Sequence, residues 1–200
     1  LEGLALEALK AGMMAQTIES ANNEQAPVIS FGSEIARPER ILHVQPVPVE
    51  ETAERLMTIL AMAAGGQGDV AIMAGVRQGT FESRLVRALQ NLTRTPRFKE
   101  LAIRETLYVN DHPLQSQETA LKLVEFYKDL RGIICTSSVA LSAAGRVVAK
   151  QELAGKVAVT GLGLPSELHK SLRTGAVPAF LAFDPRDLGY LTLYALDAAA

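Results

Sequence analysis

Cysteine, tryptophan and histidine are scarce in this chain: one, none and three in 200 residues. A lone Cys135 cannot close an internal disulfide, so no stapled scaffold is available and the redox compartment is left open. Neither His nor Asp stands beside it in sequence to activate a thiolate, and it reads as a small core residue ending a strand. His43, His112 and His169 lie far apart without metal-ligand spacing, and no G-x-S-x-G elbow pairs with any of them. No catalytic constellation is visible and no cofactor is implied, so the expectation is that the protein is not an enzyme. The chain also lacks any run near the roughly 18 consecutive apolar residues that span a bilayer. A net charge of −2 with both signs interspersed leaves no footprint for nucleic acid or an anionic membrane surface. Internal repeats and low-complexity tracts are absent too, which excludes solenoids.

What is present is apolar residue in quantity, 48% against 21% charged, enough for one large or two small α/β domains. The opening LEGLALEALKAGMM has neither the basic start nor the continuous apolar core of a signal peptide; its period predicts an amphipathic helix, and any export signal is expected outside this chain. A second helical stretch, Gln16–Asn23, precedes a strand over Val28–Phe31 and a short one over Ile41–Val44. A long helix over Glu50–Ala63 carries Leu56, Ile59, Leu60 and Ala63 on one face. Strands over Asp69–Ala74, Leu101–Val109, Gly132–Cys135 and Val157–Thr160 then alternate with helices over Phe81–Asn91, Ser116–Leu130, Val139–Gln151 and Ser166–Arg173. Ala176–Phe183 reads as a further buried strand, and Asp184-Pro185 as the cap of a last helix. The alternation is that of α/β proteins whose parallel sheet has helices on both faces and right-handed crossovers.

The stretch GLGLPSELHKSLRTGAVPAFLAFDPRDLGY resembles the C-terminal signature of type I periplasmic sugar-binding proteins of ABC transporters, in particular the rhamnose and autoinducer-2 receptor subgroup. Upstream, GIICTSSVALSAAGRVVAK is similar to that subgroup's strand, ligand loop and Ala-rich helix, and APVISFGSE to its strand ending at a sugar-contacting turn. The resemblance implies a periplasmic-binding-protein-like type I fold with two interleaved lobes. Its crossings fall near Ala36, Gly163 and Asp184, giving one complete lobe from residues 37–163 and 184–200 and a partial N-terminal lobe from 1–36 and 164–183. Much of the first lobe is then absent, and a lone chain is expected to expose an apolar surface or to pair with a second copy as a homodimer.

The resemblance places ligand contacts at strand ends: Ser33, then Thr80, Phe81, Glu82 and Arg84, then Thr136 and Ser138, and finally Asp184. This chain departs from the pattern at three places. Gly32 stands where the family has a binding Asp, the 80–84 loop replaces an Asn-Gln or Asp-Gln pair, and Thr136-Ser137-Ser138 replaces a Pro-Asp-Ala type turn. Each candidate also has a plain structural reading. Ser33 fits a surface turn, Thr80 and Asp184 fit helix N-caps, and Ser137 or Ser138 fits the cap of the helix that follows. Arg84, Arg87 and Arg94 beside Glu82 also read as a solvated charged face. Gly161-x-Gly163-x-x-Ser166 imitates a dinucleotide fingerprint, but its third glycine is Ser166 and Pro165 removes an N–H from the phosphate-facing turn.

What the resemblance implies is an extracytoplasmic receptor that closes about a hinge on a sugar or sugar-like molecule and hands it to an ABC transporter permease. A sensor or regulatory domain of the same fold, and an isolated lobe that binds no sugar, are the alternatives.

Overall fold

The structure is a computed structural model describing residues 2–7, 14–32, 35, 40–45, 47–77 and 80–199, with the backbone alone described for Thr80. In chain order its elements are β1 (Leu4–Leu6), α1 (Ala15–Asn23), β2 (Val28–Phe31), β3 (Leu42–Val44), α2 (Val49–Ala64), β4 (Gly68–Ala74), α3 (Thr80–Leu92), β5 (Leu101–Tyr108), α4 (Pro113–Phe126), β6 (Leu130–Cys135), α5 (Ser138–Lys150), β7 (Ala158–Gly161), α6 (Pro165–Arg173) and α7 (Pro185–Asp197). They form two compact units, one of residues 1–48, 78–83 and 183–200, the other of 49–77 and 84–182.

The second unit is built on a parallel sheet in the order β5-β4-β6-β7. Its central strands β4 and β6 are apolar on both faces along most of their length because both faces are covered, whereas the edge strand β5 carries exposed Arg104 and Glu105. Ala71, Met73, Ile133, Cys135 and Val159 pack with Leu123 of α4 and Leu141, Ala144 and Val148 of α5. On the other face Gly132 leaves room for Leu60 of α2, whose Cγ would lie 3.0 Å from a Cβ added there. Ser137 caps α5 by accepting from Ala140 N–H at 3.3 Å, and Pro113 opens α4 behind the cap His112. That cap sets the helix start ahead of the expected Ser116, and at the other end the extended backbone of Tyr127 stops the helix at Phe126, leaving Leu130 and Arg131 to begin β6.

The first unit holds the parallel sheet β1-β2-β3, with strands of three or four residues. Its core is Leu6, Ile18, Ala21, Ala26, Val28 and Ile35. α7 lies against this sheet with Leu188, Thr192, Ala195 and Leu196 as its less exposed positions. Leu196 comes so close to Gly3 that a Cβ there would sit 2.8 Å from Leu196 Cδ1.

Two expectations need correction. The opening residues do not begin a helix: Leu4–Leu6 is a strand, because Leu4-Ala5-Leu6 suits alternation as well as helical period and pairing with β2 decides it. Residues 8–13 lie outside the described set. The segment expected as a strand over 176–183 runs beside β7 but makes only an isolated bridge between Leu162 and Leu181, since Pro178 has no N–H to give to a ladder.

Packing groups the described residues into the two compact units as follows. β3 pairs with β2, which draws residues 40–45, 47 and 48 into the first unit. α6 packs on α5, and Leu181 hydrogen-bonds Gly161 and Gly163, which keeps 164–182 in the second. α7 packs on β1, β2 and β3, so 184–200 belong to the first.

Candidate functional site

In the second unit the chain leaves β4 toward β5 on one side, while β6 connects to β7 on the other. Adjacent strands with connections diverging in this way open a crevice beyond their carboxyl ends, where ligands of parallel α/β sheets bind. The two exits are tied together. Thr136 N–H donates to Met73 O at 3.0 Å, and Gly75 N–H donates to Thr136 Oγ1 at 3.2 Å. β5 joins the same rim through Val109 N–H to Ala74 O and Asn110 N–H to Gly75 O, both 2.8 Å. Asn110 and Asp111 follow with φ of 50° and 51°, a left-handed pair that these residue types tolerate. Leu162 N–H closes the row on Cys135 O at 3.1 Å.

On this fixed rim stand Arg77 and Tyr108, the guanidinium carbon 4.2 Å from the ring centroid. A cation–π contact holds the guanidinium over the ring, and its donors form a planar fork. The first turn of α5 contributes backbone N–H groups and the positive end of its dipole, which favour an electron-rich oxygen. Cys135 lies fully buried just beneath, and burial alone pushes its thiol well above the usual range, so it is a neutral core group.

The residues expected to bind ligand fall as follows. Ser33 lies outside the described residues, as does the side chain of Thr80. Phe81 and Glu82 stand half-buried in the first turn of α3 and belong to the first unit, whereas Arg84 belongs to the second. Arg84 is exposed and faces Glu50 across 3.7 Å, the geometry of a solvated pair. Thr136 and Ser138 share the β6–α5 turn. The Thr136 hydroxyl is buried and bonded to Gly75, a structural role, while Ser138 is the half-buried first residue of α5 behind the cap Ser137. Asp184 is exposed, and its Oδ1 accepts from Arg186 N–H at 2.8 Å, capping α7. Thr136, Ser138 and Arg84 thus belong to one unit, and Phe81, Glu82 and Asp184 to the other.

Arg77 and Tyr108 were missed in the sequence. The signal that could have found them is position: Tyr108 ends β5, and Arg77 follows β4 on the loop leaving the sheet's centre. Among the described residues no group of His, Cys, Asp and Glu could hold a metal ion, and no helix is long and apolar enough to cross a membrane.

A family model described as periplasmic binding protein domain matches residues 1–200. No curated protein matches the chain. A solved ABC transporter solute-binding protein from Clostridium phytofermentas with bound L-rhamnose superposes with a TM-score of 0.90 at 22% identity, over 100% of this chain and 64% of that one. A sugar ABC transporter protein from Actinomyces odontolyticus gives 0.82 at 25% identity, over 100% and 65%. LsrB from Clostridium saccharobutylicum in complex with AI-2 gives 0.86 at 15%, over 98% and 64%. The chain therefore spans a little under two thirds of the length of these proteins.

Proposed function

Because the chain belongs to the periplasmic binding protein family, a family of binding proteins and not of enzymes, we propose that it is part of an extracytoplasmic receptor for a sugar or sugar-like molecule. The observation that carries this reading is the rim at the β4–β6 divergence, where Arg77 is stacked on Tyr108 above strand exits locked by backbone hydrogen bonds. An aromatic face beside a planar donor fork suits a sugar ring, which presents C–H surface to one and hydroxyls to the other. Ser138, the first residue of α5, is proposed to add a hydroxyl. The remaining candidates, Ser33, Thr80, Phe81, Glu82, Arg84, Thr136 and Asp184, stand as proposed contacts from the resemblance, with Thr136 acting through the turn it holds.

Closure of two lobes on the ligand, with delivery to an ABC permease, is the mechanism proposed by likeness to the rhamnose and AI-2 proteins. Such a ligand favours the closed state by its differential affinity for it. A specific observation favours one addition: Ile41, Leu42, Tyr190, Leu193 and Tyr194 are all exposed in the first unit, which suits association of two copies. Light scattering after size exclusion tests that addition, and a monomer at all concentrations removes it.

The receptor reading is tested by thermal-shift titration with L-rhamnose, D-arabinose, D-glucose, D-galactose and autoinducer-2, since a ligand specific to the native state raises apparent stability. A shift with one of them that Arg77→Ala abolishes supports the site. A folded protein that responds to none favours the alternative of a non-binding lobe.

A further inference from the structure

We propose that Glu7 supplies the ligand-binding carboxylate at the strand ends of the first unit, and that Gly32 lacks a side chain to make room for it. The inference rests on the receptor reading above and narrows its ligand class. β1 and β2 are adjacent and parallel, with Leu6 beside Ser30, so Glu7 and Gly32 leave the sheet together at its carboxyl edge. Gly32 has a φ of 62°, in the left-handed region, and its N–H donates to Val44 O at 3.1 Å, which pins the turn to β3. A Cβ built on Gly32 would overlap Glu7 Oε1 and lie 2.9 Å from its Cδ. The Glu7 carboxylate thus occupies the volume that any side chain at 32 would need.

Glu7 is exposed, so its carboxylate is reachable from the edge where ligands of such sheets bind. A carboxylate has about four acceptor positions and accepts strongly from hydroxyls, so one residue can take two neighbouring sugar hydroxyls while keeping other partners. The same charge repels a second anion. The ligand class is therefore neutral polyhydroxylated sugars, with sugar acids and sugar phosphates disfavoured.

The test is a carboxylate swap read by calorimetric and thermal-shift titration with the four neutral sugars above, alongside D-glucose 6-phosphate and D-glucuronate. Glu7→Gln keeps the shape and is expected to weaken binding of the preferred neutral sugar at least tenfold. Gly32→Asp alone is expected to weaken it as well, by overlap and like charge. Glu7→Ala weakens it, and Glu7→Ala/Gly32→Asp recovers at least part of the loss, because Asp is tolerated at positive φ and restores a carboxylate in the same volume. Binding by Glu7→Gln within twofold of the parent overturns the proposal while leaving the receptor reading intact, as does a double variant no better than Glu7→Ala. Preference for the anionic sugars overturns the ligand class. A parent chain that is folded and binds no sugar overturns the receptor reading and this inference with it.

Discussion

The two units are made of the same kind of parallel βα unit, yet they bury themselves very differently. In the second, the central strands β4 and β6 are covered on both faces, and Met73, Ile133, Ile134 and Leu60 are fully inaccessible. In the first, strands of three or four residues carry a small cluster around Ile18 and Val28. α7 there buries only Thr192, leaving Tyr190 at 69% and Tyr194 at 65% exposure with their rings stacked at 6.4 Å. Apolar area removed from water is the dominant favourable term in folding. The second unit therefore has the means to stand alone, and the first is the weaker partner. Both offer strand ends with polar groups, so binding capacity and stability are distributed unequally over one chain.

The largest test of that contrast strikes where two strands of the stronger unit nearly touch. A Cβ on Gly161 would overlap Cys135 O, with the carbonyl carbon at 2.9 Å. Backbone cannot swing aside as a side chain can, so Gly161→Ala is expected to separate β6 from β7 and cost about 3 kcal/mol or more, read as a lower urea midpoint. Next come matched deletions. Ile133→Ala in the double-covered core should cost about 3 kcal/mol, while Ile18→Ala in the small cluster, where neighbours can close in, should cost about 2 kcal/mol. With intrinsic fluorescence and hydrogen exchange as probes, Ile18→Ala should advance opening of β2 while β4 and β6 remain protected. Equal protection of both sheets in the parent would dissolve the comparison.

Alkaline pH should single out the second unit. Burial holds the Cys135 thiol protonated far above the pH of about 8.5 at which an unfolded cysteine ionises. The native state therefore keeps a proton that the unfolded chain gives up, and the associated stability is full below about pH 8.5 and falls as pH rises. The loss is about 1.4 kcal/mol per unit, or about 2 kcal/mol by pH 10. Denaturation of the parent against Cys135→Ala isolates this slope from other groups titrating there. The thiol should also react with a disulfide reagent only as fast as the second unit opens, and rapid labelling of the native protein would contradict its burial.

Why some of this was legible in the sequence and some was not comes down to length and partners. Strands such as 69–74 and 132–135, apolar on both faces and bounded by glycine or polar turns, declared themselves, and so did the helices between them, because local pattern and tertiary burial agree there. Leu4–Leu6 did not, since three residues carry too little period to outvote the helix-like text around them. The failed strand at 176–183 turned on the single missing N–H of Pro178. α7's apolar stripe says that it packs, not on which sheet. In the candidate site, cap residues were readable from type and spacing. The Arg77–Tyr108 stack and the Glu7–Gly32 fit were hidden, because each joins residues from different strand exits that only the sheet order brings together.

Asp184 is where the stability of the weaker unit and its proposed binding role meet, and its effect is the smallest of these but the most discriminating. Its Oδ1 satisfies Arg186 N–H at the start of α7, ahead of Pro185, so the cap alone is worth about 1 kcal/mol. Asp184→Ala should therefore lower the first unit's stability by about that amount. Asp184→Asn keeps an oxygen in the capping position and should be nearly silent in denaturation. If the carboxylate also contacts ligand, Asp184→Asn should lose the sugar-induced thermal shift while keeping the parent's stability. If the residue only caps, that variant should bind like the parent, and Asp184→Ala should bind like the parent once its lower melting temperature is allowed for.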